Sequence, residues 1–338
     1  MNEPDSLCMP VFTFSWPDAC SPHAQAVEQH VIGWVEHYQL IPNQALRART
    51  IRARYGWLAA RCYPSAPLDL LKTIADFIAW LFLVDDLLFD WAEHLSPRTV
   101  AHITAIIDVL DLNDTQVHPG FGERALLDVC QRLRGQMDAE HFEHFAHGTR
   151  MVFASTALLI LGRLNGEQMA LRQYGCARRH GSGVAPCIAL LDSATAAPLK
   201  SEVRFCPQVQ QLKESANTII SLINDIFSVS SELKQPGHSA NIVMLLAGQQ
   251  HSLQEGIELS ANKVRIEIER FTKLSEQLLD PASPALNHYI QGLKYWLSGH
   301  QRWLENDTAR YDSTSFDSDA QQRSIAHAVN YADSVIMP

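Results

Sequence analysis

The stretch "NDIFSVSSE" at residues 224–232 carries Asn224, Ser228 and Glu232 at successive four-residue steps behind the apolar run "TIISLI". On an α-helix each step turns the direction by roughly 40°, so the three oxygen-bearing side chains share a stripe about 80° wide over two turns. An amide carbonyl, a hydroxyl and a carboxylate form a hard-oxygen set of the kind that magnesium takes. The same stripe also suits the wet face of an amphipathic helix, and the motif alone leaves both readings open. A second set ends the apolar run "FIAWLFLVDDLLFD" with Asp85, Asp86 and Asp90. Carboxylates this close repel one another unless positive charge sits among them. Asp86 and Asp90 share a helix face, while Asp85 stands over Ile78, Leu81 and Phe82. That places a carboxylate at the rim of an apolar pocket; the alternative is a solvated acidic helix end.

The elements that must position these groups read as helices. Ser21 and Pro22 give start chemistry for a helix over "SPHAQAVEQHVIGWVEHY". Helical periodicity then predicts further segments at roughly 44–62, 67–91, 97–110, 122–146, 147–172, 208–234, 252–281 and 285–305, with strand alternation scarce. The expected architecture is a single all-α bundle over residues 21–311, behind an N-terminal segment 1–20 and ahead of a polar C-terminal tail 312–338. A content of 46% hydrophobic and 19% charged residues in 338 allows a large core and argues against disorder. The formal charge is 27 − 37 = −10 with no basic stripe, which argues against a nucleic-acid partner. Seven scattered cysteines without a CxxC pair indicate neither a disulfide framework nor a zinc site, and fit a reducing cytosol. The apolar runs at 77–84 and 151–162 are shorter than the roughly 20 residues of a membrane span, and no basic-then-apolar signal opens the chain. A soluble, cytoplasmic protein is expected.

Four stretches of the sequence resemble the class I terpene synthases of bacterial type. "DDLLFD" is similar to the family's aspartate-rich DDxxxD motif, and "NDIFSVSSE" to its NDxxSxxxE metal motif. "YGCARRHGSG" resembles the stretch that carries the diphosphate-sensing arginine, with Arg178 four residues after Tyr174 and 46 before Asn224. "WLENDTARY" resembles the C-terminal Arg-Tyr pair, here Arg310 and Tyr311 behind Trp303. "LAARCYPSAP" at 58–67 adds a weaker match, so the resemblance runs from about 55 to 311.

The resemblance implies the isoprenoid synthase bundle around a central apolar cavity and three Mg2+ ions. It implies ionisation of a linear isoprenyl diphosphate, foremost farnesyl diphosphate, and cyclisation of the cation to a sesquiterpene hydrocarbon or alcohol with release of diphosphate. Asp85 is then the principal ligand of two ions. Asp86 and Asp90 complete the aspartate-rich motif in hydrogen-bonding or orienting roles, and Asn224, Ser228 and Glu232 hold the third ion. Arg178 senses the diphosphate, and Arg310 and Tyr311 close over it, since guanidinium matches phosphate geometry. Gly181 and Ser182 take the linker and effector positions, with the Ser182 carbonyl toward the ionising carbon. Ile78, Leu81, Phe82, Gly181 and Trp303 are expected at the pocket, where an aromatic face is worth about 0.5–2 kcal/mol to a desolvated cation. Phe77, Trp80 and Trp296 are assigned to the core.

Two departures from the family pattern stand out. Gly181 replaces the commoner Thr or Asp, and Ser231 replaces the Lys or Arg that precedes the motif glutamate. A lysine at 231 would lie about 20° off the Asn224 direction, within reach of the diphosphate, so one cationic contact is expected to be missing. Alternative readings are a mono- or diterpene cyclase, a chain-elongating prenyltransferase, which would carry a second aspartate-rich motif, and a non-catalytic helical isoprenoid-binding protein. Monomer and homodimer are both compatible with the sequence.

Overall fold

The computed structural model describes residues 7–89, 97–165, 169–195, 198–234, 241–248 and 251–311, and among these residues the only regular elements are helices. In chain order they are α1 (Ala24–His37), α2 (Gln44–Ala53), α3 (Tyr55–Cys62), α4 (Leu68–Val84), α5 (Pro97–Leu112), α6 (Glu123–Gln136) and α7 (Ala139–Leu164). There follow α8 (Leu171–Gly181), α9 (Val184–Ala189), α10 (Ser201–Arg204), α11 (Pro207–Glu232), α12 (Ile242–Ala247), α13 (Leu253–Leu278) and α14 (Pro284–Arg302). Two π-helical turns, Asp85–Phe89 and Trp303–Asp307, prolong α4 and α14.

The all-α architecture stands, and several boundaries move for physical reasons. The first helix starts at Ala24, because the Ser21 carbonyl and hydroxyl accept from Ala24 N and His23 N and close a turn ahead of it. The segment at 44–62 is two helices: Arg54 adopts φ 53° and breaks the ladder. The predicted junction at 146/147 lies inside α7. The real break is at Met137 and Asp138, where Met137 is extended and the Asp138 carboxylate accepts from His141 N at 2.9 Å. Apolar spacing continues through that cap, so periodicity alone does not reveal it. The short α9, α10 and α12 span too few turns to print a period.

The core is built around α4 and α11. On α4, Leu71, Ile74, Phe77, Ile78, Trp80 and Val84 are all buried, and α1, α3 and α6 pack around them. On α11, Leu212, Ile219, Ile223, Ile226 and Val229 are buried against α12, α13 and α14. Each such side chain contributes roughly 1.5–3 kcal/mol on leaving water. Phe77 and Trp80 are therefore core residues, as expected, and the Trp80 indole N–H is satisfied by the Gly122 carbonyl at 2.9 Å.

By length and composition Ala139–Gly162 of α7 could cross a bilayer. Phe142, Phe145 and Phe153 belong to the bundle core, while Leu158, Leu161 and Leu164 toward the end of the helix are exposed.

The break at Arg54 has a positional use. It leaves the carbonyls of Arg52 and Ala53 without helical partners, while the Arg54 carbonyl accepts from Leu58 N at 3.2 Å. Ala309 N reaches the first at 3.0 Å, and the Trp303 indole N–H reaches the other two at 2.9 and 3.1 Å. This seats the segment that carries Arg310 and Tyr311 against α3. Residues 7–20 run outside α13 and α14, held by the Trp16 indole on the Lys294 carbonyl at 2.9 Å and by Gln301 on the Phe12 carbonyl at 2.6 Å.

Candidate active site

One cavity is lined by α3, α4 and the π-helical turn that follows it, α7, α8, α9, α11 and α14, together with Arg310 and Tyr311. On α11 its wall passes from Ile220 and Ser221 through Asn224 and Ser228 to Glu232, a climb of roughly 18 Å at the helical rise. On α4 it passes from Ile78 through Leu81 and Phe82 to Asp85. Both helices thus place hydrocarbon early and oxygen ligands late. Leu58, Val152, Leu159, Ile160, Val184 and Trp296 complete the apolar part.

The structure brings together Asp85, Arg178, Gly181, Ser182, Asn224, Ser228, Glu232, Arg310, Tyr311, Ile78, Leu81 and Phe82 on this one cavity. Two expected residues, Asp86 and Trp303, are not among its walls. Asp86 is buried and turned away, bound to both terminal nitrogens of Arg310 at 2.6 and 2.8 Å and lying 3.4 Å from Arg49. Burial alone would raise its carboxyl, but Arg310 and Arg49 outweigh it and hold the group below the usual carboxylate range. Asp86 thus positions Arg310 and offers no oxygen to the cavity. Asp90 lies outside the described residues. Trp303 is fully buried, with its ring 6.1 Å from Phe82, and serves to dock the Arg310 segment. Trp296, assigned to the core from sequence, is the tryptophan that lines the cavity.

Phe82 is also more engaged than expected. Tyr55 stacks on it at 5.0 Å, and the Arg310 guanidinium sits 4.7 Å from its centroid. A ring already holding a cation is a poor place for a second, so Phe82 seats Arg310. Tyr55, which sequence reasoning missed, accepts from Arg310 through its hydroxyl at 2.9 Å.

Asp225 is the other residue missed, although it stands inside the quoted motif. It is buried, 2.7 Å from the Arg178 guanidinium, and accepts from the Tyr174 hydroxyl and from Ile242 N at 3.0 Å. Burial pushes its carboxyl upward against the pull of Arg178. Arg178 in turn donates to the Asn224 carbonyl oxygen at 2.8 Å, and the Asn224 amide donates to the Tyr311 hydroxyl at 2.9 Å. Asn241 donates to the Asp225 carbonyl at 2.8 Å and to Glu232 at 2.9 Å. No pattern in the sequence distinguishes Asn241, which acts across the chain from α12. Ser231 is buried with its hydroxyl on the Ser228 carbonyl at 2.7 Å, and it is not part of the cavity wall. The position expected to want a cation therefore faces the protein.

Among the described residues no group of three or more His, Cys, Asp or Glu side chains converges as a metal site. The donors on offer are the hard oxygens of Asp85, Asn224, Ser228 and Glu232, which suit a magnesium-like ion that also takes oxygens from an anion. Arg178 and Arg310 each keep a buried Nε–H that no protein group accepts.

Residues 76–270 match the profile of terpene synthase family 2, C-terminal metal binding. A sesquiterpene synthase of Metarhizium brunneum is 43% identical over 95% of this chain and 94% of its own length. The (+)-corvol ether B/(+)-corvol ether A synthase of Kitasatospora setae is 43% identical over 94% and 99%. Among solved structures, a hedycaryol synthase superposes with a TM-score of 0.76 at 23% identity over 89% of this chain and 99% of that one, which shows the shared fold. The metal-motif oxygens, the paired arginines and the apolar wall thus lie in a chain that belongs to the terpene synthase family 2, and the enzyme is a metal-binding terpene synthase.

Proposed function

We propose that the enzyme ionises farnesyl diphosphate and cyclises the resulting cation to a sesquiterpene. The observation that carries this reading is the division of one cavity into an oxygen-and-guanidinium end and a hydrocarbon end. An allylic diphosphate has the same division. The relatives from Kitasatospora setae and from Roseiflexus castenholzii, the latter a (+)-T-muurolol synthase 31% identical over 90% of this chain and 93% of its own length, are both named as farnesyl diphosphate cyclising.

Asp85 on one wall and Asn224, Ser228 and Glu232 on the other would hold three Mg2+ ions. When bound, the ions supply charge neutralisation for the departing diphosphate. The chain's own groups do the rest. Arg178 and Arg310 offer their unpartnered Nε–H donors to diphosphate oxygens, and Tyr311 adds a hydroxyl beside them. The allylic C–O bond breaks with its electron pair leaving on oxygen, and the Ser182 backbone faces the carbon left positive. Trp296 and the aliphatic wall then shape the cation without offering a nucleophile. Loss of a proton or capture of water ends the sequence. His300, also on the wall, is held neutral because burial and the nearby Arg178 push its imidazole down to about 3.

The test is incubation of the purified enzyme with geranyl, farnesyl and geranylgeranyl diphosphate and magnesium, with products read by gas chromatography and mass spectrometry. Cyclic C15 products from farnesyl diphosphate are expected. Dominant C10 or C20 products would overturn the substrate assignment, and longer prenyl chains formed with isopentenyl diphosphate would overturn cyclisation.

A further inference from the structure

The bend between α8 and α9 carries Arg178, Gly181 and Ser182 to the cavity, and its own support comes from a residue outside the four motifs. A helix end leaves carbonyls without intrahelical donors. At this end the Ser182 N–H closes on the Arg178 carbonyl at 3.1 Å, and the Ser155 hydroxyl of α7 donates to the Ala177 carbonyl at 2.7 Å. The Arg179 carbonyl is taken by the Asn217 side chain of α11, whose amide donates at 2.6 Å. The Asn217 carbonyl oxygen accepts in turn from the Ser182 hydroxyl and from the Ser221 hydroxyl, each at 3.0 Å. Asn217 is 6% exposed, so these bonds are made out of water, where leaving one unmade costs about 1–3 kcal/mol.

Its place on α11 matters as much as its partners. Asn217 lies seven residues before Asn224, about 20° off the same helix face. Ser221 lies between them and lines the cavity. From the other side, Gly183 has φ +73°, and a Cβ there would come within 2.6 Å of Leu81 Cδ2, so α4 presses directly on the bend. The bend is thus fixed between α4, α7 and α11.

We propose that Asn217 is a positioning residue for the cyclisation reaction: by gripping both the Arg179 carbonyl and the Ser182 hydroxyl, it ties the bend that faces the substrate to the helix that carries the metal-binding oxygens. This rests on the reading of the Arg178–Gly183 bend as the part of the wall that meets the ionising end. Substrate affinity comes from the charged mouth, so the grip acts on the geometry of ionisation and on the shape of the cavity beside it.

Two variants separate this role from plain support of the fold. Asn217→Ala removes the grip altogether. Asn217→Asp keeps the acceptors for Ser182 and Ser221 but sets a carboxylate oxygen against the Arg179 carbonyl. For each variant that folds by circular dichroism, kcat on farnesyl diphosphate is expected to fall about ten-fold or more, with KM changed by less than about three-fold and the ratio of products altered. Adding Ser182→Ala to Asn217→Ala should cost little further kcat, because the serine hydroxyl acts through Asn217. A folded variant with unchanged kcat and product ratio, or fully additive losses in the double variant, would overturn the proposal. Amide hydrogen exchange of the enzyme without substrate gives a reading independent of turnover. The peptide spanning 178–185 should exchange about ten-fold faster in Asn217→Asp, with α4 peptides unchanged, and equal protection there would overturn the proposal. A wild-type enzyme that makes no terpene at all would count against the cyclase reading, while the exchange measurement would still decide the role of Asn217.

Discussion

Asp225 is the residue on which the polar end of the cavity depends most. Its buried carboxylate is the common partner of the half-buried Arg178, of Tyr174 and of the Ile242 N–H. Replacing it with Asn should leave the Arg178 charge without its counterpart, and breaking such a buried pair costs on the order of 3–5 kcal/mol. The expected result is a lower urea midpoint together with weakened diphosphate binding, and a stability within about 1 kcal/mol of wild type would show that Arg178 finds another partner. Ser231→Lys should likewise lower the thermal midpoint and leave the KM for diphosphate unimproved, because the position is buried against the Ser228 carbonyl. A lower KM would show that the lysine reaches the mouth after all. At this scale the sequence is most informative where spacing encodes a face: Asn224, Ser228 and Glu232 fall together because four-residue steps must align. It is silent where two neighbours compete. Nothing in "ND" or "DD" says in advance which residue an arginine will claim; in both pairs the first, Asn224 or Asp85, lines the cavity, and the second, Asp225 or Asp86, is buried beside an arginine.

Among the elements, the informative features are the places where helices stop being regular. The π-helical turns at Asp85–Phe89 and Trp303–Asp307 sit at the two points where α4 and α14 hand their chains to the cavity mouth. Such turns are common at functional sites because they re-aim side chains by a residue without ending the helix. No apolar period reveals them: apolar residues run on through Leu87, Leu88 and Phe89 in the first, and Glu305, Asn306 and Asp307 read as an ordinary polar helix end in the second. The start of α3 is another irregular point, capped from outside: Glu28 of α1 accepts from Gly56 N at 2.8 Å, two residues after the left-handed Arg54 and one after Tyr55. Burial raises the Glu28 carboxyl from 4.5 to about 7, against the pull of the Gly56 amide. A folded-state value above the unfolded one means that the group's favourable contribution is complete below about 4.5 and is lost as pH rises through about 7. The Glu28→Gln variant has no such proton to lose, so its stability relative to wild type should climb between pH 5 and pH 8 by up to roughly 3 kcal/mol. Urea denaturation at a series of pH values measures this, and parallel curves for the two proteins would show that Glu28 is solvated.

For the molecule as a whole, the all-α class was legible because the longer helices need only periodic apolar residues, and those are plain in the sequence. The identity of the wall was less so. Trp296 and Trp303 are one heptad apart on nearly the same direction of a helix, and only the packing of α14 against α3 decides that Trp296 meets the cavity while Trp303 holds the chain end in place. The cavity's two ends should also separate in experiment. Chelation of divalent ions should abolish turnover without changing the far-ultraviolet dichroism, because the core around α4 and α11 is made of hydrocarbon and owes nothing to the oxygen ligands. Loss of helical signal on chelation would show that the fold itself depends on the ion.

The amide of Asn224 is held from both sides, its oxygen by Arg178 and its nitrogen by Tyr311. Any cation that takes that oxygen must compete with the arginine, and the arginine yields only when another anion is present to receive it. Diphosphate is such an anion. The two ligands are therefore coupled thermodynamically through a side chain that belongs to neither, and by reciprocity each must raise the affinity for the other by the same factor. Calorimetric titration with magnesium should give weak binding to the enzyme alone and markedly tighter binding once inorganic diphosphate is present, with the difference shrinking in Arg178→Lys. Equal magnesium affinity with and without diphosphate would break the linkage. If it holds, the enzyme is a coincidence detector: neither a passing metal ion nor a stray phosphate ester can arm it by itself, which restricts the creation of a reactive cation to the moment when its leaving group is already held.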